Sequence, residues 1–154
     1  MAKLYRLIKQ YCVIKRGFVD FQQDSITQDY TPELLTPRVL QVSDSIGLYG
    51  AELARILHLQ CKDISAMVAV RKKLDPDEKA WDLAIQLIEL YKNLYRLKQG
   101  NDVAIYHWLR RNNSSLKGIP LLLIIDNNKL TQVEEYIRKE LFTSQNKLYV
   151  NEPF

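Results

Sequence analysis

The segment 50-GAELARILHLQCKDISAMVA-69 has the spacing of two short helices joined by a sharp turn. In a helix-turn-helix, a small residue on the first helix lets the second approach closely. A turn follows four residues later, and an apolar residue on the second helix closes the pair. Ala54, His58 and Ile64 stand at these three positions. The apolar residues expected to pack around them are Leu53, Leu57, Leu59 and Met67. The segment therefore predicts a helix-turn-helix.

Helical periodicity continues on both sides of this motif, and no run of residues alternates with a period of two. The predicted helices cover residues 2–15, 37–48, 51–57, 63–74, 78–98, 103–110, 120–125 and 131–142. We therefore expect an all-α chain in three parts. These are residues 1–36 as an N-terminal helix and linker, 37–76 as the helix-turn-helix domain, and 77–154 as a small helical C-terminal domain with a tail.

Prolines, glycines and capping residues supply the predicted helix boundaries. Two X-Pro steps between residues 18 and 37 predict a linker, so Pro37 is placed in the first turn of a helix. Gly47 and Gly50 are expected to break the chain after that helix, and Gly100 to end the longest one. Thr131, with Glu134 three residues later, predicts a capping box for the last helix.

Composition bounds the class of protein. The chain has 154 residues, enough for one domain or two small ones sharing a core, and its two cysteines stand far apart. We expect neither a disulfide nor a metal site, no cofactor, and a reduced cytoplasmic compartment. The longest apolar run, residues 119–125, contains Pro120 and is far shorter than the roughly 20 residues that cross a bilayer. No membrane span or secretory signal is expected.

The charged and nucleophilic residues form no recognised catalytic motif. His58 and His107 are the only histidines, and the sequence contains no Gly-rich phosphate loop and no HExxH. The expectation is that the chain is not an enzyme. The net charge of +4 is compatible with nucleic-acid binding, and the basic residues concentrate in residues 1–16 and in the run 71–73.

The run AELARIL at residues 51–57 resembles the helix-turn-helix of the Xre-type repressor superfamily. His58 stands where that superfamily usually has Gly, and His tolerates a left-handed backbone better than most side chains do. DNA would be read by the second helix, with base edges contacted from its outward positions and phosphates held by the basic run. The candidate DNA-binding residues are Gln60, Lys62, Ser65, Arg71 and Lys72. The alternative is a motif that serves as scaffold, with the basic run as a solvated helix end.

A second pattern lies in the C-terminal third. It consists of Ala104, Trp108, Leu109, Asn113, Leu116, Gly118, Pro120, Leu121 and Val133. This order resembles the toxin-binding domain of the Xre/MbcA/ParS antitoxin family, with its A-x3-W-L, Pro-Asn and L-x-G-x-x-P-L elements. Asn112 stands where the family often has Pro, and Lys117 precedes Gly118 where a second Gly is common. Together the two resemblances cover residues 37–143.

The resemblance implies an antitoxin that binds a cognate RES-domain toxin, an NAD-consuming enzyme, and blocks its active site sterically. It also implies a homodimer and repression of the shared operon through operator DNA. The candidate toxin-binding residues are Asn112, Asn113, Ser114 and Lys117. Trp108 and Leu109 are expected to anchor this loop, Gly118 to supply an unusual backbone angle, and Pro120 to start the next helix. A standalone DNA-binding transcriptional regulator is the alternative function, and the tail 144–154 is either disordered or ordered by the toxin.

Overall fold

The computed structural model describes residues 29–150, and every structural statement below refers to them. Within this range the backbone forms seven α-helices and no β-sheet, which confirms the predicted all-α class. The helices are α1 (Pro32–Ser45), α2 (Gly50–Leu57), α3 (Cys61–Val68), α4 (Lys79–Leu97), α5 (Asp102–Arg110), α6 (Pro120–Asn127) and α7 (Leu130–Val150). The predicted helix over residues 2–15 lies outside the described residues.

Helix α4 is the centre of the fold. Its apolar residues recur at helical spacing over a wide face, and those that are almost fully buried are Ala84, Leu87, Ile88, Leu90 and Leu94. This face packs against α1, α2, α5 and α7. The long contact with α7 buries Val133 and Ile137 completely. A helix with this much apolar surface is stable only when several neighbours cover it.

The predicted helix pair α2–α3 is present, and it joins the rest of the molecule through α2 and through the contact of α3 with α1. Ala54 and Ile64 are each 3% exposed, and residues 58–60 form the turn between the two helices. Helix α2 also contacts α4 and α6, so its buried Leu53 and Leu57 belong to the same contiguous core as the C-terminal helices. The helix-turn-helix and the C-terminal half therefore stabilise each other by a shared hydrophobic interior.

Several predicted boundaries were wrong. Helix α1 begins at Pro32 and continues through Pro37, although an interior Pro removes a backbone hydrogen bond and crowds the carbonyl four residues earlier. Gly50 is the first residue of α2 and does not break the chain. Helix α3 ends at Val68, although periodicity suggested a helix to residue 74. Helix α7 continues to residue 150, so part of the sequence interpreted as a tail is helical.

The start of the last helix also differs from the prediction. Helix α7 begins at Leu130, which places Thr131 inside the first turn, where it cannot act as the N-cap. Its hydroxyl donates instead to Gln86 Oε1 at 3.1 Å. Glu134 is turned towards the protein, where its carboxylate accepts from Arg138 and Asn93. Side chains that could cap the helix are thus used to join α7 to α4.

Helices α1 to α4 end in the same hydrogen-bonded turn. In each, an amide bonds to the carbonyl oxygen five residues earlier, as from Leu48 to Ser43 and from Arg71 to Ala66. This is the Schellman motif, whose left-handed position is usually Gly. Gly47 follows that preference. The other three left-handed positions are occupied by His58 (φ 56°), Val70 (φ 59°) and Gln99 (φ 53°).

The substitution Val70→Gly is expected to stabilise the protein by about 1 kcal/mol. The left-handed conformation costs an L-residue roughly 1–2 kcal/mol, and a β-branched side chain suffers most. The greater chain entropy of unfolded Gly offsets part of the gain. The Val70 side chain is 53% exposed, so little packing is lost. Urea denaturation measures the change. The matched control is Ala69→Gly at φ −80°, which should lose stability, and a loss at Val70 as well would contradict backbone strain there.

Candidate functional site

The outward side of α3 contains the side chains predicted to read DNA. Ile64 and Met67 anchor the helix in the core, which turns Gln60, Lys62 and Ser65 to the surface. The Ser65 hydroxyl donates to the carbonyl of Cys61 at 3.1 Å, so part of its hydrogen-bonding capacity is used within the helix. Gln60 and Lys62 are the exposed polar groups with the reach to meet a base edge.

The three basic residues after α3 differ in whether a carboxylate pairs with them. Lys72 pairs with Asp63 at 3.0 Å and approaches Glu78 at 4.0 Å, with its side chain 30% exposed. Lys73 pairs with Glu33 at 2.9 Å. Arg71 is exposed, and like Lys62 it has no ion pair with any residue from 29 to 150. Of the predicted phosphate ligands, Arg71 is therefore free to meet an anion, whereas Lys72 is held by carboxylates.

Asp63 gives the first turn of α3 a negative charge. Its carboxylate accepts from the backbone N–H of Gln60 at 3.0 Å and from the Lys72 ammonium at 3.0 Å. These two contacts, the first being the larger, hold the pKa of Asp63 below its usual value. Because the folded pKa is depressed, this contact stabilises the protein at neutral pH and is lost as the pH falls through that pKa. Asp63 caps α3, and its negative charge would repel a phosphate brought to the same turn.

The end of α2 is tied to the end of α6. Arg55 pairs with Asp126 at 2.5 Å, and His58 Nε2 lies 3.1 Å from Asn128 Oδ1. The ion-paired side chains are 62% and 42% exposed, so their contribution to stability is about 0–1 kcal/mol. Their position matters more than their energy. Helix α6 starts directly after the loop of residues 111–119, which contains the predicted toxin-binding residues. One helix of about 12 Å therefore separates that loop from the helix-turn-helix.

The loop between α5 and α6 is a closed turn. Asn113 and Gly118 form an antiparallel bridge, with backbone N–H···O distances of 2.8 and 3.2 Å. Asn113 Oδ1 accepts from the amides of Ser115 at 3.0 Å and Leu116 at 3.1 Å. Leu116 is buried, which fixes the loop to the core. Ser114, Ser115 and Lys117 are left pointing to solvent.

The left-handed residue of this loop is Lys117 (φ 57°), so the prediction that Gly118 supplies the unusual angle was wrong. Gly118 serves a different purpose. A Cβ atom there would lie 3.2 Å from Leu123 Cδ2, so the absence of a side chain lets the loop pack closely on α6. Lys117 occupies the position where the resembled family commonly has its second Gly. The backbone keeps the conformation that such a Gly would favour, and a cation is displayed from it.

The residues predicted to anchor the loop and to start the next helix lie where the sequence placed them. Trp108 is half-buried and stacks on Tyr136, with ring centroids 6.4 Å apart and planes inclined by 19°. Leu109 is fully buried, and Pro120 is at the start of α6. Among the predicted toxin-binding residues, Asn112, Ser114 and Lys117 are exposed. Asn113 is half-buried and holds the loop together, and the exposed Ser115 was not singled out from the sequence.

Removing the Asn113 amide by Asn113→Ala is expected to destabilise the protein by about 1–2 kcal/mol. Two backbone amides of the loop, one of them partly buried, would lose their acceptor. Thermal and urea unfolding measure the loss, and hydrogen exchange of Ser115 and Leu116 should accelerate. Asn113→Asp is the matched control, since a carboxylate keeps the acceptor. Equal losses in both variants would show that these two bonds do not hold the loop.

A comparison with protein-family models gives no match, and a comparison with curated proteins gives none either. Within residues 29–150, no three His, Cys, Asp or Glu side chains are arranged to hold a metal ion. None of the helices in that part of the chain has the length and apolar character to cross a membrane. The features that bear on function are the outward side of α3 with the basic run, and the closed loop between α5 and α6.

Proposed function

We propose that this chain is a cytoplasmic, homodimeric antitoxin that binds a cognate RES-domain toxin and covers the toxin's active site. The proposal begins from the resemblance of the helix-turn-helix and of the C-terminal pattern. The observation that carries it is the closed loop of residues 113–118. This loop is an exposed structure with a fixed backbone, and a preorganised contact loses less conformational entropy when it covers an active site.

The rigidity of the loop lowers the cost of binding. A flexible loop loses conformational freedom when a partner orders it, and that loss is subtracted from the affinity. Here the bridge between Asn113 and Gly118 and the buried Leu116 have already fixed the backbone. Ser114, Ser115 and Lys117 therefore supply hydrogen bonds and one cation from defined positions.

Coexpression with the neighbouring reading frame tests the proposal. If that frame encodes a RES-type protein, its expression alone should arrest growth and deplete NAD. Coexpression of this chain should restore growth, and the two proteins should copurify as a complex. Neighbouring products that neither bind this chain nor become harmless in its presence would overturn the antitoxin function.

A second function, that of a DNA-binding regulator, is favoured by Lys62 and Arg71. Both cations are exposed near the recognition helix, and no carboxylate in the described part of the chain pairs with them. Operator binding accompanies toxin binding in an autorepressing antitoxin, whereas a standalone regulator would bind DNA without any toxin. Gel-shift assays on the chain's own promoter, with and without the toxin, separate these two cases.

Substituting Lys62 and Arg71 together by Ala is expected to weaken DNA binding and to reduce its salt dependence. Each lost phosphate contact lowers the slope of log K against log salt by about 0.9, so the double variant should lose about 2. Lys72→Ala is the matched control, because its ammonium is already paired with Asp63. That control should reduce stability and leave the slope unchanged. A slope lowered by Lys72→Ala and unaffected by the double variant would contradict the assignment.

A further inference from the structure

The outer face of α5 consists of Val103, Tyr106, His107 and Arg110, which follow one another at helical spacing. Val103 is 66% exposed and Tyr106 45% exposed. The opposite side of the helix buries Ile105 and Leu109 in the core, which fixes the direction of this outer face. Two large apolar side chains are thus held at the surface by a well-anchored helix, next to the loop described above.

Arg110 is held on this face by neutral groups only. Its guanidinium lies 3.7 Å from the centroid of the Tyr106 ring and donates to Gly47 O at 3.0 Å and to Tyr106 O at 3.4 Å. No carboxylate among residues 29–150 lies within ion-pair distance of it. The positive charge is therefore oriented but not neutralised, and the guanidinium N–H groups that these two carbonyls do not use can donate to a carboxylate.

The turn after α1 packs on the same face of α5 through Gly47. A Cβ atom on Gly47 would lie 3.3 Å from Tyr106 Cε2, so the turn after α1 packs closely on α5. Two residues later, Tyr49 is 68% exposed. Tyr and Arg are the side chains most enriched among residues that dominate protein–protein binding energy.

The charge of this region has one sign. Residues 103–125 contain Arg110, Arg111 and Lys117 and no Asp or Glu. Asp102, which precedes them, accepts a hydrogen bond from the Tyr91 hydroxyl at 3.3 Å. The outer face of α5 and the loop that follows therefore form a surface whose own charges are cationic, with aromatic and aliphatic side chains among them. The exposed Asp102 lies at its edge, at the start of α5.

We infer that the outer face of α5 binds an acidic segment of a protein partner, with Arg110 paired to a carboxylate and Val103 and Tyr106 covered by apolar side chains. The identification of that partner as the toxin rests on the proposed function. A protein segment fits better than nucleic acid, because an exposed Val and a Tyr covered on one side by a guanidinium offer few free π-faces for bases. The apolar residues here match those of a protein interface.

An NMR titration of the full chain with two synthetic peptides tests the inference. The first peptide places Leu and Phe between several Glu and Asp residues, and the second replaces every carboxylate by its amide. The first should shift the amide resonances of residues 103–111 and of the turn around Tyr49. Its affinity should exceed that of the amide peptide at least tenfold and should fall as salt is raised.

A double variant, Val103→Ser with Tyr106→Ser, should reduce the affinity for the acidic peptide about tenfold while the helical content stays constant. Phe142→Ser is the matched control, since Phe142 is an equally exposed apolar residue on α7. Absence of peptide shifts, shifts elsewhere, or shifts of this face by duplex DNA and not by the acidic peptide would overturn the inference.

The same double variant distinguishes this inference from the antitoxin function. If the toxin complex tolerates the two Ser substitutions, the antitoxin function stands, but the toxin is not the partner that binds the outer face of α5. An acidic peptide that binds this face when no neighbouring gene product binds the chain supports the surface and overturns the antitoxin function. A complex that weakens about tenfold supports both.

Discussion

The substitution Leu57→Ala is expected to lower the free energy of unfolding by about 3–5 kcal/mol. Leu57 is fully buried, and α2 packs against α3, α4 and α6 around it. Removing its side chain would leave a cavity at the junction of the helix-turn-helix and the C-terminal half. A loss of this size is a large fraction of the total stability of an ordinary domain.

The cooperativity of unfolding in this variant tests whether the two halves share one core. Because the buried residues form a contiguous cluster, far-ultraviolet circular dichroism and tryptophan fluorescence should report the same transition midpoint. Trp81 and Trp108 both lie in the C-terminal half, so separate midpoints would show that the helix-turn-helix unfolds on its own. Leu122→Ala is the matched control: Leu122 is 48% exposed, and its removal should cost less than about 0.5 kcal/mol.

Helix-forming periodicity predicted the centre of the fold well. Helices α4 and α5 were predicted to within one residue at each end, because their apolar spacing is regular and polar or Gly residues follow them. The N-terminal boundary of α1 was missed because X-Pro steps usually mark extended backbone. The structure keeps Pro32 at the first helical position and accepts Pro37 in the interior, since burial of Leu35 and Val39 offsets the lost hydrogen bond and the crowding that Pro37 causes.

Backbone conformation was harder to predict than helix position. Gly, and less strongly Asn, Asp and His, signal a left-handed residue in a sequence, yet Val70, Gln99 and Lys117 adopt that conformation here. Each is fixed by hydrogen bonds of the surrounding turn, which overrule the preference of the side chain.

The electrostatics of the candidate DNA surface depend on contacts distant in sequence. The basic run 71–73 suggested three phosphate ligands, but Lys73 pairs with Glu33, which lies 40 positions earlier. Lys72 is likewise bound by Asp63. A count of basic residues cannot reveal such pairs, because the acids that neutralise them are brought near by folding. The sequence also did not show that the outer face of α5 is exposed. Helical spacing identifies the residues that share a face, but only the packing of the other helices decides whether that face is covered.

The substitution Lys117→Glu is expected to weaken the proposed toxin complex about 100-fold, which corresponds to about 2.7 kcal/mol. Lys117 is exposed on the closed loop, and its left-handed backbone projects the ammonium from a fixed position. A carboxylate there would remove an attractive charge and place a like charge against the acidic partner that the cationic surface implies. Isothermal titration calorimetry or biolayer interferometry with a catalytically inactive toxin measures the change.

Two control variants separate this charge effect from damage to the loop. Lys117→Asn removes the charge but suits the left-handed conformation, so stability should be retained and affinity should fall only about tenfold. Lys129→Glu makes the same charge reversal at another exposed lysine, between α6 and α7, and should change affinity less than about twofold. Charge reversal weakens a contact strongly only where it opposes a partner group at close range. Equal losses of affinity for Lys117→Glu and Lys129→Glu would show that only the net charge of the protein matters. The loop would then not be part of the interface.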